Sequence, residues 1–251
     1  MPGTMLDVPT PDGTADAFLA YPDGGGSHPG VLLYMDAIGL RPRLREMAEQ
    51  LAAHGYCVLV PNVFYRTGRA PVTELPDLTN AENREAFIAR IMPLLNEHTP
   101  QRALSDAQAY LDFLSARPEV RPGPIGAVGY CMGAALALRT AAAHPGKVVA
   151  VAGFHPGSLA TDAPDSPHLL APKVSAEVHF GIAEQDDSMP PEAVARLSAA
   201  LDDAGVRNSC EVYPGTLHGF TMADTAAFDQ AGLDRHWDRL LSLLGRTLTA
   251  G

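Results

Sequence analysis

Short, almost wholly apolar runs alternate along the chain with longer stretches in which apolar residues recur every three or four positions. The runs at 15–21, 30–35, 56–61, 124–128, 148–154, 176–181 and 209–213 read as strands. Several are hydrophobic almost without interruption, as expected of strands covered on both faces. Between them, Leu44, Met47, Ala48 and Leu51 share a helical face that ends at Gly55, where a left-handed cap is expected. Further helices are predicted over 81–96, 102–117, 134–143 and 233–248, the last placing Leu240, Leu241, Leu244 and Leu248 on one face. This alternation predicts an α/β fold: a mostly parallel central sheet with helices on both faces. No repeat, low-complexity segment or linker interrupts it, so a single domain over residues 1–251 is expected. Residues 62–99 break the rhythm and read as a helical insertion over the carboxyl edge of the sheet.

Composition narrows the function. A chain of 251 residues with 46% hydrophobic content can bury one substantial core. Its formal net charge of −11 opposes nucleic acid and anionic membranes as partners. No basic stretch leads into an apolar one at residues 1–20, and no apolar run reaches bilayer length, so a cytoplasmic location is expected. Three widely spaced cysteines do not form a disulfide framework or a zinc motif. No His/Asp cluster has ligand spacing, so neither metal nor cofactor is expected. Cys57 and Cys210 fall inside strand-like runs and read as core residues.

Cys131 is different. It is the centre of Gly129-Tyr130-Cys131-Met132-Gly133, between a predicted strand and a small-residue helix. This Gly-x-Cys-x-Gly pattern is that of an elbow that lifts a nucleophilic side chain out over a sheet, its glycines leaving room for the tight backbone. The helix N-terminus behind the sulfur favours thiolate, the form that attacks carbonyl carbon. A nucleophile so placed needs an acid and a histidine later in the chain, each beyond the carboxyl end of a strand. Asp186 and Asp187 follow the strand 176–181, and His218 follows 209–213. A redox role would need a second cysteine close to Cys131 in sequence, and there is none.

These segments, together with Tyr34 to Gly39 and Gly55 to Pro61, resemble the dienelactone hydrolases, Cys-His-Asp members of the α/β-hydrolase fold. The resemblance spans nearly the whole chain. It implies a carboxylic ester hydrolase that cleaves a small-molecule ester or lactone through a cysteine acyl-enzyme. A carboxylesterase, thioesterase or acyl transferase acting on a less anionic substrate is the alternative. By the resemblance, Cys131 is the nucleophile, His218 the base and Asp186, directly after Gln185, the acid. Backbone N–H groups of Met132 and Ala37 would form the oxyanion hole. Asp36 stands where the family has a glutamate that contacts and activates the cysteine. Being one methylene shorter, it either does the same or caps the loop at the oxyanion hole. Two family arginines hold the substrate carboxylate; Arg84 corresponds to the first, and Met222 replaces the second with an apolar wall. Arg66 and Arg69 could compensate or simply be solvated. Tyr130 is a further candidate substrate-binding residue, and His155, at the end of the strand 148–154, either lines the pocket or is a hydrogen-bonded loop residue.

Overall fold

The computed structural model describes residues 3–248. The chain divides into two compact units, Met1–Gly123 with Asp224–Ala226, and Pro124–Ala223 with Ala227–Gly251.

In the first unit, β1 (Gly3–Thr10) and β2 (Gly13–Ala20) form an antiparallel hairpin closed at Thr10 and Gly13. β3 (His28–Tyr34) runs parallel to β4 (Cys57–Pro61), and β4 pairs antiparallel with β2, giving the order β1-β2-β4-β3. The apolar runs are buried as their composition demands: Val31, Leu32, Leu33, Val58, Leu59 and Val60 have no exposure. Helix α1 (Pro42–Ala53) lays Leu44, Met47, Ala48 and Leu51 against β2 and β4. Helix α2 (Ala81–Glu97) starts where the Asn80 side chain accepts the Asn83 N–H, and α3 (Pro100–Ser115) where Thr99 accepts that of Arg102. Such caps satisfy donors that the first turn leaves orphaned.

β5 (Val120–Tyr130) enters the second unit at Pro124, where it is followed by β6 (Val148–Phe154), β7 (Glu177–Gln185) and β8 (Asn208–Leu217). These four lie parallel in sequence order. Helix α4 (Met132–Ala143) packs on β6, α5 (Pro191–Asp203) on β8, and α6 (Gln230–Leu248) on β6, β7 and β8. Gly153 lets α4 approach: a Cβ there would come within 2.7 Å of Ala134 Cβ and of the Phe180 ring. The described residues thus hold eight strands, mostly parallel, and six α-helices, an α/β architecture.

The structure departs from the sequence reading in several places: helix α5 was not expected, and β7 runs on to Gln185, past the expected end at 181. β1 was not foreseen as a strand, because it is mostly exposed and carries no apolar run. β8 continues past Tyr213, its expected end, to Leu217. β5 begins four residues before the expected run, with Pro122 and Pro124 among its exposed positions. The stretch 62–99 does hold a helix, α2, although Pro93 lies inside it.

Candidate active site

Everything at this site follows from one tight corner. Cys131, between β5 and α4, has φ 54° and ψ −118°, a conformation that a residue with a side chain rarely adopts. The corner is held by backbone bonds: Cys131 N–H donates to Phe154 O (3.1 Å), while Cys131 O accepts from Ala134 N–H (3.1 Å) and Gly157 N–H (3.3 Å). Gly129 is required for contact, not for its φ, since a Cβ would sit 2.0 Å from Gly133 O. The Cys131 side chain is half-buried at the head of α4.

His218 lies just beyond β8 and hydrogen-bonds with the Cys131 sulfur. Its Nδ1 stands 2.6 Å from Asp186 Oδ2, which fixes the ring from the other side. Asp186, just past β7, has a side chain only 3% exposed, against 26% for His218. The other oxygen of Asp186 accepts the Ser188 hydroxyl (2.6 Å) and the Ser188 N–H (3.0 Å). These contacts set the proton affinities. Burial alone would lower His218, but the Cys131 sulfur and the Asp186 carboxylate outweigh it and raise the imidazole to about 10. Burial would raise Asp186, and its bonds to His218 and Ser188 instead hold it below its usual value. By contrast, burial pushes Cys57 and Cys210 each up to about 12, which keeps both as inert thiols.

Of the two neighbouring acids, Asp186 is the one at the imidazole. Asp187 is exposed and borders a cavity of about 290 Å³ together with Ser158, Ser188 and Arg196. A second cavity, of about 330 Å³, lies against α2 between Glu74, Phe87 and Arg90. Cys131 lines neither.

Three of the expected substrate contacts are buried: Tyr130 and His155 have no exposure and Met222 only 1%. The Tyr130 hydroxyl is paired with His236 Nε2 at 2.9 Å. The Nε2 of His155 lies 2.8 Å from Thr221 Oγ1, with its ring edge-on to that of His218 at 5.3 Å. Met132 opens α4, so its N–H belongs to the unpaired first turn.

The remaining candidates belong to the first unit. Ala37 follows β3 and is buried. Asp36 is also buried, and its Oδ1 accepts from Ile38 N–H (3.0 Å) and Arg41 Nη1 (2.7 Å), its Oδ2 from Arg41 Nη2 (3.0 Å). These bonds tie the Asp36 carboxylate into its own loop. Arg41 in turn holds Asp224 through Nε (2.6 Å) and Nη2 (3.1 Å). Arg84 is half-buried on α2. Arg66 is bound to Asp106 and Asp12, and exposed Arg69 to Asp7.

Ser188, Thr221 and Arg41 were not found from sequence. Ser188 left a signal, because an aspartate two residues before a serine often accepts that residue's N–H in a local turn.

A half-buried thiol on a positive-φ corner, followed in chain order by a carboxylate and an imidazole beyond later parallel strands, defines an α/β-hydrolase. The chain matches the dienelactone hydrolase family over residues 15–248 and belongs to that family, whose members are carboxylic ester hydrolases. The carboxymethylenebutenolidase of Rhodococcus opacus is 29% identical over 234 residues, covering 90% of this chain and 84% of the relative. A Synechocystis protein provisionally described as a carboxymethylenebutenolidase is 23% identical over 243 residues, 96% and 95% of the two chains. A solved Klebsiella pneumoniae structure, provisionally described as a dienelactone hydrolase, shares the fold with TM-score 0.84, 20% identity and 98% coverage of each chain. Among the described residues no helix is long and apolar enough to cross a membrane.

Proposed function

We propose that the protein hydrolyses a small ester or lactone through a thioester on Cys131. The observation that carries this reading is the His218 ring, bonded at once to the Cys131 sulfur and to Asp186. In the first step the sulfur attacks the acyl carbon, the C–O bond breaks, and His218 passes its proton to the leaving oxygen. A water then attacks the thioester while His218 takes its proton, and the carboxylic acid leaves as the Cys131–His218 pair is restored. Asp186 holds the ring tautomer and stabilises the imidazolium throughout. The Met132 N–H is the donor nearest the nucleophile in sequence for the tetrahedral oxyanion, a contribution of about 3 kcal/mol in comparable sites. Asp36, already bonded to Arg41 and Ile38, supports activation of the thiol by His218 alone.

The substrate is expected to be less anionic than dienelactone. Met222 stands at the position of a family arginine, and Arg66 is already committed to Asp106 and Asp12. Steady-state hydrolysis of p-nitrophenyl esters of graded chain length, beside a dienelactone, tests both parts. Turnover of short neutral esters in preference to the lactone acid, lost in Cys131→Ala with the fold intact, is the expected result. Full esterase activity in that variant would dismiss the scheme. Preference for the lactone acid would return the substrate to the family's anionic type.

A further inference from the structure

The turn after β6, Phe154-His155-Pro156-Gly157-Ser158, touches all three loops that carry the proposed catalytic residues. Toward the elbow, Phe154 O accepts the Cys131 N–H (3.1 Å) and Gly157 N–H donates to Cys131 O (3.3 Å). Toward the acid, Ser158 N–H donates to Ser188 O (3.1 Å), and the Ser188 hydroxyl, which bonds Asp186, also lies 3.4 Å from Pro156 O. Toward the base, His155 Nε2 meets Thr221 Oγ1 at 2.8 Å, three residues beyond His218. The imidazole of His155 also packs edge-on against the rings of His218 and Phe220, each at 5.3 Å. Two residues of this turn, His155 (φ 38°) and Ser158 (φ 51°), hold positive φ without being glycine. Such backbone persists only where its surroundings over-determine it, and it clusters at functional sites.

We propose that this turn registers the nucleophile, acid and base loops to one another, with His155 and Thr221 as the positioning residues that fix His218. The proposal rests on the acyl-enzyme reading above. Its physical ground is that a triad works only while the three side chains stay within a few tenths of an ångström of productive geometry, and they come from three separate loops. The backbone of the turn secures the elbow and the acid loop. The base loop receives the buried His155–Thr221 bond, and both of those side chains are fully buried. The groups facing the His218 ring are the Cys131 sulfur, the Asp186 carboxylate, the Ser188 hydroxyl and the His155 ring. Any drift of the base loop alters how the first two hold its proton.

Thr221→Val removes the hydroxyl at nearly constant shape, Thr221→Ser restores it, and His155→Asn keeps a residue type that tolerates positive φ. With a p-nitrophenyl ester as probe, Thr221→Val and His155→Asn are expected to lower kcat by about tenfold or more with KM within about twofold. The acidic limb of the kcat/KM–pH profile should move in both, and Thr221→Ser should recover most of the loss. A lowered melting temperature with kcat and pH profile unchanged would mean the bond is only structural, and would overturn the proposal. The threonine pair decides it even if His155→Asn does not fold. Cys131→Ala, run alongside, separates the two readings: activity surviving there sinks the acyl-enzyme scheme, whereas loss there with a fully active Thr221→Val sinks only the positioning role.

Discussion

In the proposed scheme a single imidazole carries the chemistry, and two carboxylate oxygens with different partners decide how it is held. Asp186 Oδ2 faces His218, while Oδ1 is tied down by the Ser188 hydroxyl and N–H, so the carboxylate plane cannot rotate freely. Asp186→Asn would present the wrong tautomer or an amide N–H to the ring, and in triads of this logic kcat falls by about 10³–10⁴. Ser188→Ala removes one charge-assisted bond but leaves the backbone N–H, so a fall of about tenfold in kcat is expected, with KM little changed. Steady-state kinetics of the two variants should keep that order. The acid could not be read from the sequence with certainty, because Asp186 and Asp187 are neighbours and only the local turn through Ser188 turns one inward. The burial of Tyr130, His155 and Met222 was likewise illegible, since neither closeness in sequence to Cys131 or His218 nor, for His155, a place at the end of a strand says which way a side chain points.

At the scale of elements, the elbow is the costly piece of architecture. A strand delivers Cys131 to a positive φ, and α4 starts so close behind it that Gly129 has no room for a Cβ. Gly129→Ala puts a methyl against the backbone of Gly133, which cannot yield as a flexible side chain can. Overpacking of that kind costs about 1–3 kcal/mol or more, and here it would also shift the sulfur. The variant should therefore lose both thermal stability and activity, measured by thermal melts and ester turnover. An alanine that left both unchanged would mean the corner is looser than its geometry indicates. Most of these elements were legible because their apolar runs are continuous and their helices amphipathic. The misses were β1, an exposed strand without such a run, helix α5, for which no helix was expected, and the ends of β7 and β8, the latter reaching Leu217 across a register shift that leaves Pro214 and Gly215 outside the paired positions.

For the whole molecule, the charge arrangement at the site links stability to pH. His218 is raised from its ordinary 6.5 to about 10, so its stabilising contribution is fully present below pH 6.5 and is lost as pH rises through 10. Asp186 lies below its ordinary 3.8, so its contribution is present above pH 3.8 and is lost as pH falls through the depressed value. The melting-temperature difference between the native protein and His218→Gln should therefore be widest between pH 3.8 and 6.5 and shrink toward pH 10. A difference that grew on the alkaline side would contradict the ion pair. The overall class, α/β with a cysteine elbow, was legible because chain order alone orders nucleophile, acid and base. The partners of Asp36 were not. Arg41 lies five residues on and Asp224 far along the chain, and no periodicity announces a carboxylate–guanidinium–carboxylate chain whose first two members are buried.

The most direct test of the central claim is to quench the enzyme within its first turnovers on an activated ester and map the acyl group by peptide mass spectrometry. A transient adduct on the peptide holding Cys131, absent from Cys131→Ala, is the expected result. An adduct on another residue, or ester turnover undiminished when that sulfur is gone, would contradict it.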